Sequence, residues 1–294
     1  MLNSVINPRI EKGAPVIVQG ITGRQGQRHT QLMRAYGTNV VGGVSPKSDR
    51  DSVDGLPVFK TCADAVAATG AVATVVLVRP DLAADAIIEA AEAGIATVVC
   101  VAEGIPVHDA LRALKSTREC GTFWVGASTP GMAIPANALK LGFLPNVTLQ
   151  PGDVGIMSKS GTLSYEVGYR MVQRGLGQSV WIGVGGDSVK GTRFADLVPF
   201  YQQDAATRAL VIVGEIGGDE EEALGAAMRD ANFDKPVLAV IAGASAPEGV
   251  TMGHAGAMVF GAHGAASTKR KALEDAGGRA FATIEGLIEA LVDL

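Results

Sequence analysis

Val16-Ile17-Val18-Gln19-Gly20-Ile21-Thr22-Gly23-Arg24-Gln25-Gly26 is the stretch on which the reading of this chain turns. A short β-branched run enters a glycine-rich turn, and residues 27–36 follow with helical spacing. Such a strand-to-helix turn lets the backbone approach a phosphate, with free N–H groups and the helix dipole favouring the anion. The spacing is G-x-x-G-x-x-G rather than the dinucleotide pattern G-x-G-x-x-G, and tight packing alone is the competing explanation. The next strand reads Val40-Val41-Gly42-Gly43-Val44 and runs on into Ser45-Pro46-Lys47. An NAD site wants an acid there for the ribose hydroxyls. A lysine suits a ribose that carries a phosphate, as in NADP or the 3′-phosphate of coenzyme A, although most lysines are simply solvated.

The rhythm of that opening repeats. Ala73-Thr74-Val75-Val76-Leu77-Val78, Thr97-Val98-Val99-Cys100-Val101 and Phe123-Trp124-Val125 alternate with helical spacings over 83–93 and 108–118. After residues 131–152, which carry few periodic signals and three prolines, strands restart at Val154-Gly155-Ile156-Met157 and Val180-Trp181-Ile182-Gly183-Val184. Leu210-Val211-Ile212-Val213, Pro236-Val237-Leu238-Ala239-Val240-Ile241 and residues 279–283 complete the series. Alternating strands and helices predict parallel sheets covered on both faces by right-handed crossovers. The expectation is two α/β domains, 1–146 and 147–294. A length of 294 residues fits about two domains of roughly 100–200 residues each.

Composition narrows the function classes. With 47% hydrophobic and 19% charged residues, a sizeable core is available and global disorder is excluded. A net charge of −5 gives no reason to expect a nucleic-acid or membrane surface. Neither a basic stretch with an apolar h-region at the start nor a run of about 18 apolar residues occurs, so a cytoplasmic protein is expected. Cys62, Cys100 and Cys120 lack metal-ligand spacing, and Cys100 reads as a small buried hydrophobe. No metal site is expected.

Three segments of the second half carry chemistry. Met252-Gly253-His254-Ala255-Gly256-Ala257 sets one imidazole among very small neighbours, leaving space for a bulky group on a ring nitrogen. Ser158-Lys159-Ser160-Gly161-Thr162-Leu163-Ser164 leaves a strand and opens a helix, a second anion-binding start. Gly214-Glu215-Ile216-Gly217-Gly218 puts a carboxylate at the ligand-binding edge of a parallel sheet. A carboxylate on one imidazole nitrogen fixes the tautomer and raises the nucleophilicity of the other. Together they describe a histidine able to carry a phosphoryl group, with a helix-capping role for Glu215 beside Asp219-Glu220-Glu221-Glu222 as the plainer reading. His29 and His108 read as surface or capping residues, and His263 as an ambiguous turn.

Ordered along nearly the whole chain, these motifs resemble the α subunit of succinate–CoA ligase of the NDP-forming type. The set adds Gly55-Leu56-Pro57-Val58-Phe59, Glu103-Gly104-Ile105-Pro106-Val107, Tyr165-Glu166, Gly185-Gly186-Asp187 and Gly191-Thr192. The resemblance implies a Rossmann-like CoA-binding domain followed by a flavodoxin-like parallel-sheet ligase domain. It implies CoA on Thr22, Gly23, Arg24 and Gln25, near Lys47 and near Glu103 and Gly104. It further implies His254 as the phosphorylated residue, Glu215 orienting it, and Ser160, Gly161 and Thr162 holding its phosphate. ATP or GTP with Mg would sit on an ATP-grasp β subunit, in an αβ or α2β2 assembly of the tricarboxylic acid cycle, and a small carboxylic acid would be the substrate.

The chain departs from that family at Gly126-Ala127-Ser128-Thr129-Pro130-Gly131, at Val250-Thr251, at Pro46-Lys47-Ser48-Asp49 and at Arg79. A ligase for another small acid such as malate stays open. So do an NADP-dependent oxidoreductase, on the strength of Lys47 and the glycine loop, and a non-catalytic CoA-binding subunit.

Overall fold

The computed structural model describes residues 7–245, 249, 253, 254, 257–259, 261 and 263–294. In the first half, β1 (Val16–Gln19) leads through α1 (Arg24–Tyr36) to β2 (Val40–Val44), followed by β3 (Ser52–Val53) and β4 (Leu56–Phe59). Then come α2 (Cys62–Thr69), β5 (Ala73–Val76), α3 (Pro80–Glu92), β6 (Thr97–Cys100), α4 (Val107–Cys120) and β7 (Phe123–Val125). They form one sheet in the order β3-β4-β2-β1-β5-β6-β7, parallel throughout except for the antiparallel pair β3–β4. Every residue of β1, β5 and β6 is buried, which is why these strands read as unbroken apolar runs and not as alternations.

The second half contributes β8 (Gly131–Ile134), β9 (Leu139–Gly142), β10 (Pro151–Ser158), α5 (Gly161–Gln173), β11 (Gln178–Gly183) and α6 (Val198–Gln203). It continues with β12 (Ala209–Glu215), α7 (Glu220–Asp230), β13 (Val237–Ala242), α8 (Ala266–Glu274), β14 (Arg279–Phe281) and α9 (Ile284–Val292). Their sheet runs β14-β13-β12-β10-β11-β8-β9, with the pairs β11–β8 and β8–β9 antiparallel and the other pairs parallel. Two α/β domains are therefore present, with strand orders of the Rossmann and flavodoxin types at their centres.

Residues 131–152 depart from expectation. Read as signal-poor, they contain β8 and β9, which extend the second sheet from its β11 edge through Trp181 opposite Ala133. The second sheet thus begins directly after β7, ahead of residue 146. Each strand is only four residues long, a 3-10 turn starting at Pro135 separates them, and a charged residue, Lys140, interrupts the second. Lys140 is nonetheless buried, donating to Asn146 Oδ1 at 2.6 Å, and burial pulls its ammonium down to about 8. The expected elements also omitted β3, β4 and α2, all too short for a periodic signal.

The β8–β9 pair joins the two halves. Met132, Ile134, Leu139 and Leu141 belong to one apolar cluster with Val75, Val99 and Val125 of the first sheet and Met157 and Ile182 of the second. His29, expected at the surface, lies in this seam: its ring stacks on Phe143 at 4.0 Å between centroids, and burial and Lys140 push its pKa down to about 4. Cys100 is fully buried as expected, its thiol pushed up to about 12 by burial. Among the described residues, no helix is long and apolar enough to cross a membrane.

The glycine turn after β1 is held by contact between its own ends. A Cβ on Gly26 would lie 2.1 Å from the Gly20 carbonyl oxygen, and Gly20 itself has φ +83°. Gly26→Ala must push the first turn of α1 away from β1. It should lower stability by about 1–3 kcal/mol, as overpacking does, read as a lower melting temperature by circular dichroism.

Candidate active site

In an open parallel sheet, ligands collect where the strand order reverses, beyond the carboxyl ends of the strands. In the second sheet that point lies between β10 and β12. Out of β10 the chain passes through Lys159 into Ser160, the N-cap of α5, whose hydroxyl accepts from Leu163 N–H at 3.4 Å. Gly161 and Thr162 form the first turn, where backbone N–H groups lack helical acceptors and can face an anion.

Glu215 is the last residue of β12 and is buried. His254 Nδ1 lies 2.9 Å from its Oε1 and 2.8 Å from its Oε2. With Nδ1 committed to the carboxylate, Nε2 is the ring nitrogen left to form a bond, and the ring lines a neighbouring cavity. That cavity has a volume of about 540 Å³ and is lined by Ser128, Thr162, Tyr165, Glu215 and His254 with their neighbours. Gly186 closes the other side: a Cβ there would lie 2.4 Å from His254 Cγ, so only a glycine lets the ring lie against this backbone. The hydrogen bond to Glu215 raises the imidazole above its ordinary 6.5, against burial, which lowers it. Of the small-residue motif around the ring, Met252, Ala255 and Gly256 lie outside the described residues, as do Val250 and Thr251.

A second layer of charge holds Glu215 in place. Lys159, also buried, puts Nζ 3.7 Å from Glu215 Oε1 and donates to the Gly217 carbonyl at 3.4 Å. The N–H of Glu215 donates to Glu221 Oε1 at 3.0 Å, and the other oxygen of Glu221 takes Lys269 Nζ at 2.5 Å. Lys269 is completely buried and also reaches Glu222 Oε2 and the Gly218 carbonyl, both at 3.0 Å. Beside it, Glu220 receives the Phe194 N–H at 2.8 Å and pairs with Lys190 at 3.4 Å. Glu220 and Glu221 at the start of α7 are thus buried anchors, and Glu215 caps no helix. Sequence reasoning named Lys159 and Glu221 only as members of their segments, with no role of their own, and passed over Lys190 and Lys269. The available signal was faint: acids in the first turn of a helix followed by an apolar face, with partner lysines 30 to 48 positions away.

In the first sheet the corresponding crevice lies beyond β1 and β5. Thr22 is fixed there by a 2.9 Å hydroxyl contact with Ser45 and by Gln27 Nε2 donating to its carbonyl at 2.8 Å. Gly23 is the N-cap of α1 and has no side-chain cap. Arg24, Gln25 and Lys47 are exposed around it. Arg79, beyond β5, pairs with Asp81 in solvent. Glu103 and Gly104 follow β6 and reach toward the second domain, where the Gly104 N–H donates to Asp187 at 3.0 Å. At the crossover, Thr129 donates to the Gly183 carbonyl and accepts the Gly131 N–H at 2.9 Å, so its hydroxyl closes the turn. His108 and His263 are exposed and join neither crevice.

An imidazole braced by a carboxylate and sharing a cavity with a helix N-terminus can act as a nucleophile toward an anionic group. Among the described residues no cluster could hold a metal ion.

Comparison with known proteins gives a consistent picture. Residues 11–104 match the CoA binding domain family and residues 157–279 the CoA-ligase family. The chain is 43% identical to succinate–CoA ligase [ADP-forming] subunit alpha 2 of Archaeoglobus fulgidus, covering 97% of this chain and 98% of that one. It is 46% identical to the mitochondrial subunit alpha-2 of Trichomonas vaginalis, over 92% and 88% of the two chains. In three dimensions it resembles ATP citrate lyase of Methanothrix soehngenii, determined with citrate and coenzyme A. There the TM-score is 0.84 at 22% identity, covering 96% of this chain and 50% of that one.

Two measurements test the site as built. By NMR titration, His254 should show a pKa above 6.5 in the wild type. In Glu215→Gln it should fall below that, because burial then acts without the carboxylate. Lys269→Met strands the buried Glu221 carboxylate and should cost about 3–5 kcal/mol in denaturant unfolding.

Proposed function

The chain belongs to the family of succinate–CoA ligase α subunits, and from that premise we propose that it is the phosphoryl-carrying half of an NDP-forming acid–CoA ligase. The supporting observation is the pairing of His254 Nδ1 with Glu215, in a ring that lines the same cavity of about 540 Å³ as the start of α5.

In this reading, Nε2 attacks the terminal phosphorus of a nucleoside triphosphate, the nucleoside diphosphate leaves, and Nδ1 keeps its proton on Glu215. The backbone N–H groups of Gly161 and Thr162, with Ser160, hold the phosphoryl oxygens. A substrate carboxylate oxygen then attacks phosphorus, the Nε2–P bond breaks, and an acyl phosphate forms. The CoA sulfur adds to the acyl carbon and phosphate departs, leaving a thioester. A bare carboxylate would have to expel oxide, so activation has to come first. Splitting the reaction at histidine turns one hard step into easier ones. Phosphoryl transfer depends chiefly on positioning and charge neutralisation, which a helix start supplies.

CoA belongs on the first crevice. Its pyrophosphate would lie on the backbone of Thr22, Gly23, Arg24 and Gln25, its 3′-phosphate near Lys47, and its thiol arm by Glu103 and Gly104. The exposure of Arg24 and Lys47, and the lack of a side-chain cap on α1, support that placement. The triphosphate, ATP or GTP with Mg, would come from an ATP-grasp β subunit, giving an αβ or α2β2 enzyme. Relatives named ADP-forming favour ATP. The acid is a small carboxylic acid, with succinate first because the relatives carry its name.

With its β partner and γ-labelled ATP, in the absence of CoA and acid, the chain should take up acid-labile label, and His254→Asn should take up none. Label on the variant equal to wild type would refute the phosphohistidine route. A screen of carboxylic acids for thioester formation by the same assembly then names the substrate.

A further inference from the structure

The turn between β11 and the residues that follow it does two things at once. Gly186 backs the His254 ring, and its neighbour Asp187 reaches across to the first domain. The half-buried Asp187 carboxylate accepts the Gly104 N–H at 3.0 Å through Oδ2 and 3.3 Å through Oδ1, and the nearby Ile105 N–H also favours its charged form. Gly104 has φ +78°, a left-handed conformation that glycine tolerates and that this bond helps to fix. Further links run along the same seam: Ser128 N–H to the Ala102 carbonyl at 2.7 Å, Gly186 N–H to the Ser128 carbonyl at 3.3 Å, Gly191 N–H to the Gly126 carbonyl at 2.7 Å, and the Thr192 hydroxyl to the Trp124 carbonyl at 2.7 Å. On its own domain the turn is held by Lys190, which donates to the Gly185 carbonyl at 2.9 Å and is itself paired to Glu220.

We infer that Asp187 is a positioning residue for the thioester-forming step, registering the Glu103-Gly104 loop of the first domain on the backbone that cradles His254. This rests on the functional reading above for its role in turnover, though not for the contact itself. The first half-reaction needs only His254, its phosphate-binding helix start and the triphosphate. The second brings a thiol arm from one domain to an acyl carbon held by the other. A misplacement of about 1 Å between reacting groups can cost on the order of a hundredfold in rate. Among the links that residues 186–192 make to this seam, the one through Asp187 has a charged acceptor, the stronger kind. Burial raises its carboxyl above the ordinary aspartate value, with Glu103 adding to the effect, so the backbone N–H groups are what keep this acid in place.

The test compares Asp187→Ala and Asp187→Asn with wild type in the α chain assembled with its β partner. Three readouts are taken: labelling of His254 from γ-labelled ATP, steady-state thioester formation with KM for CoA, and hydrogen exchange at the amides of Gly104 and Ile105. Expected in the alanine variant are labelling within about twofold of wild type and thioester formation down about tenfold or more, the loss of one charge-assisted bond. Its Gly104 and Ile105 amides should exchange faster. Asparagine, which keeps one accepting oxygen, should recover part of the rate. Thioester formation within about twofold of wild type overturns the inference. So does an equal loss of both half-reactions, or unchanged exchange at the two amides. A wild-type enzyme that never labels His254 sinks the ligase reading instead, and the exchange measurement then decides on the Asp187 contact alone.

Discussion

The bond between the His254 imidazole and the Glu215 carboxylate constrains much of the second domain. A carboxylate out of water is costly unless it is paired and hydrogen-bonded. Here both oxygens meet Nδ1, and Lys159 stands behind one of them. For the pair to form, β12 must end at the residue that carries the acid, and the His254 ring must lie against Gly186. The glycine at 186 and the buried lysines are consequences of that demand.

Holding β12 at the right height falls to a second buried pair, one shell further in. Glu221 spends one oxygen on the backbone N–H of Glu215 and the other on Lys269. Burial works against the Lys269 ammonium, yet Glu221 and Glu222 hold it above the ordinary lysine value. Gly214 is small for the same reason: a Cβ there would lie 2.4 Å from Glu221 Oε1. Buried ion pairs often add little net stability. In this chain they fix the position of the strand end that carries Glu215.

The two crevices belong to different sheets, so their relation depends on how firmly those sheets are joined. The β8–β9 pair extends the second sheet while its apolar residues pack into the core of the first. Thr129 and Ser128 close the crossover with their hydroxyl and backbone bonds. Substitutions in this segment relative to the family therefore act on the joint between domains as well as on the cavity wall that Ser128 and Thr129 help to form.

Local sequence determined the alternation of strands and helices, the glycine turn after β1, the helix start at Ser160 and the family to which these motifs belong. Each of those is written within a few adjacent residues, through side-chain period, backbone freedom or an N-cap hydroxyl, and needs no distant partner. Residue types also pointed to His254 and Glu215, but 39 positions separate them, and only the folding of a parallel sheet put them within 2.8 Å. The short strands β8 and β9 had too few residues for a period, and one of them hides a buried lysine whose partner is Asn146. The supporting lysines 159, 190 and 269 look like any solvated lysine in the sequence. Tertiary structure alone decided their roles, because burial and charge pairing depend on what surrounds a side chain in space.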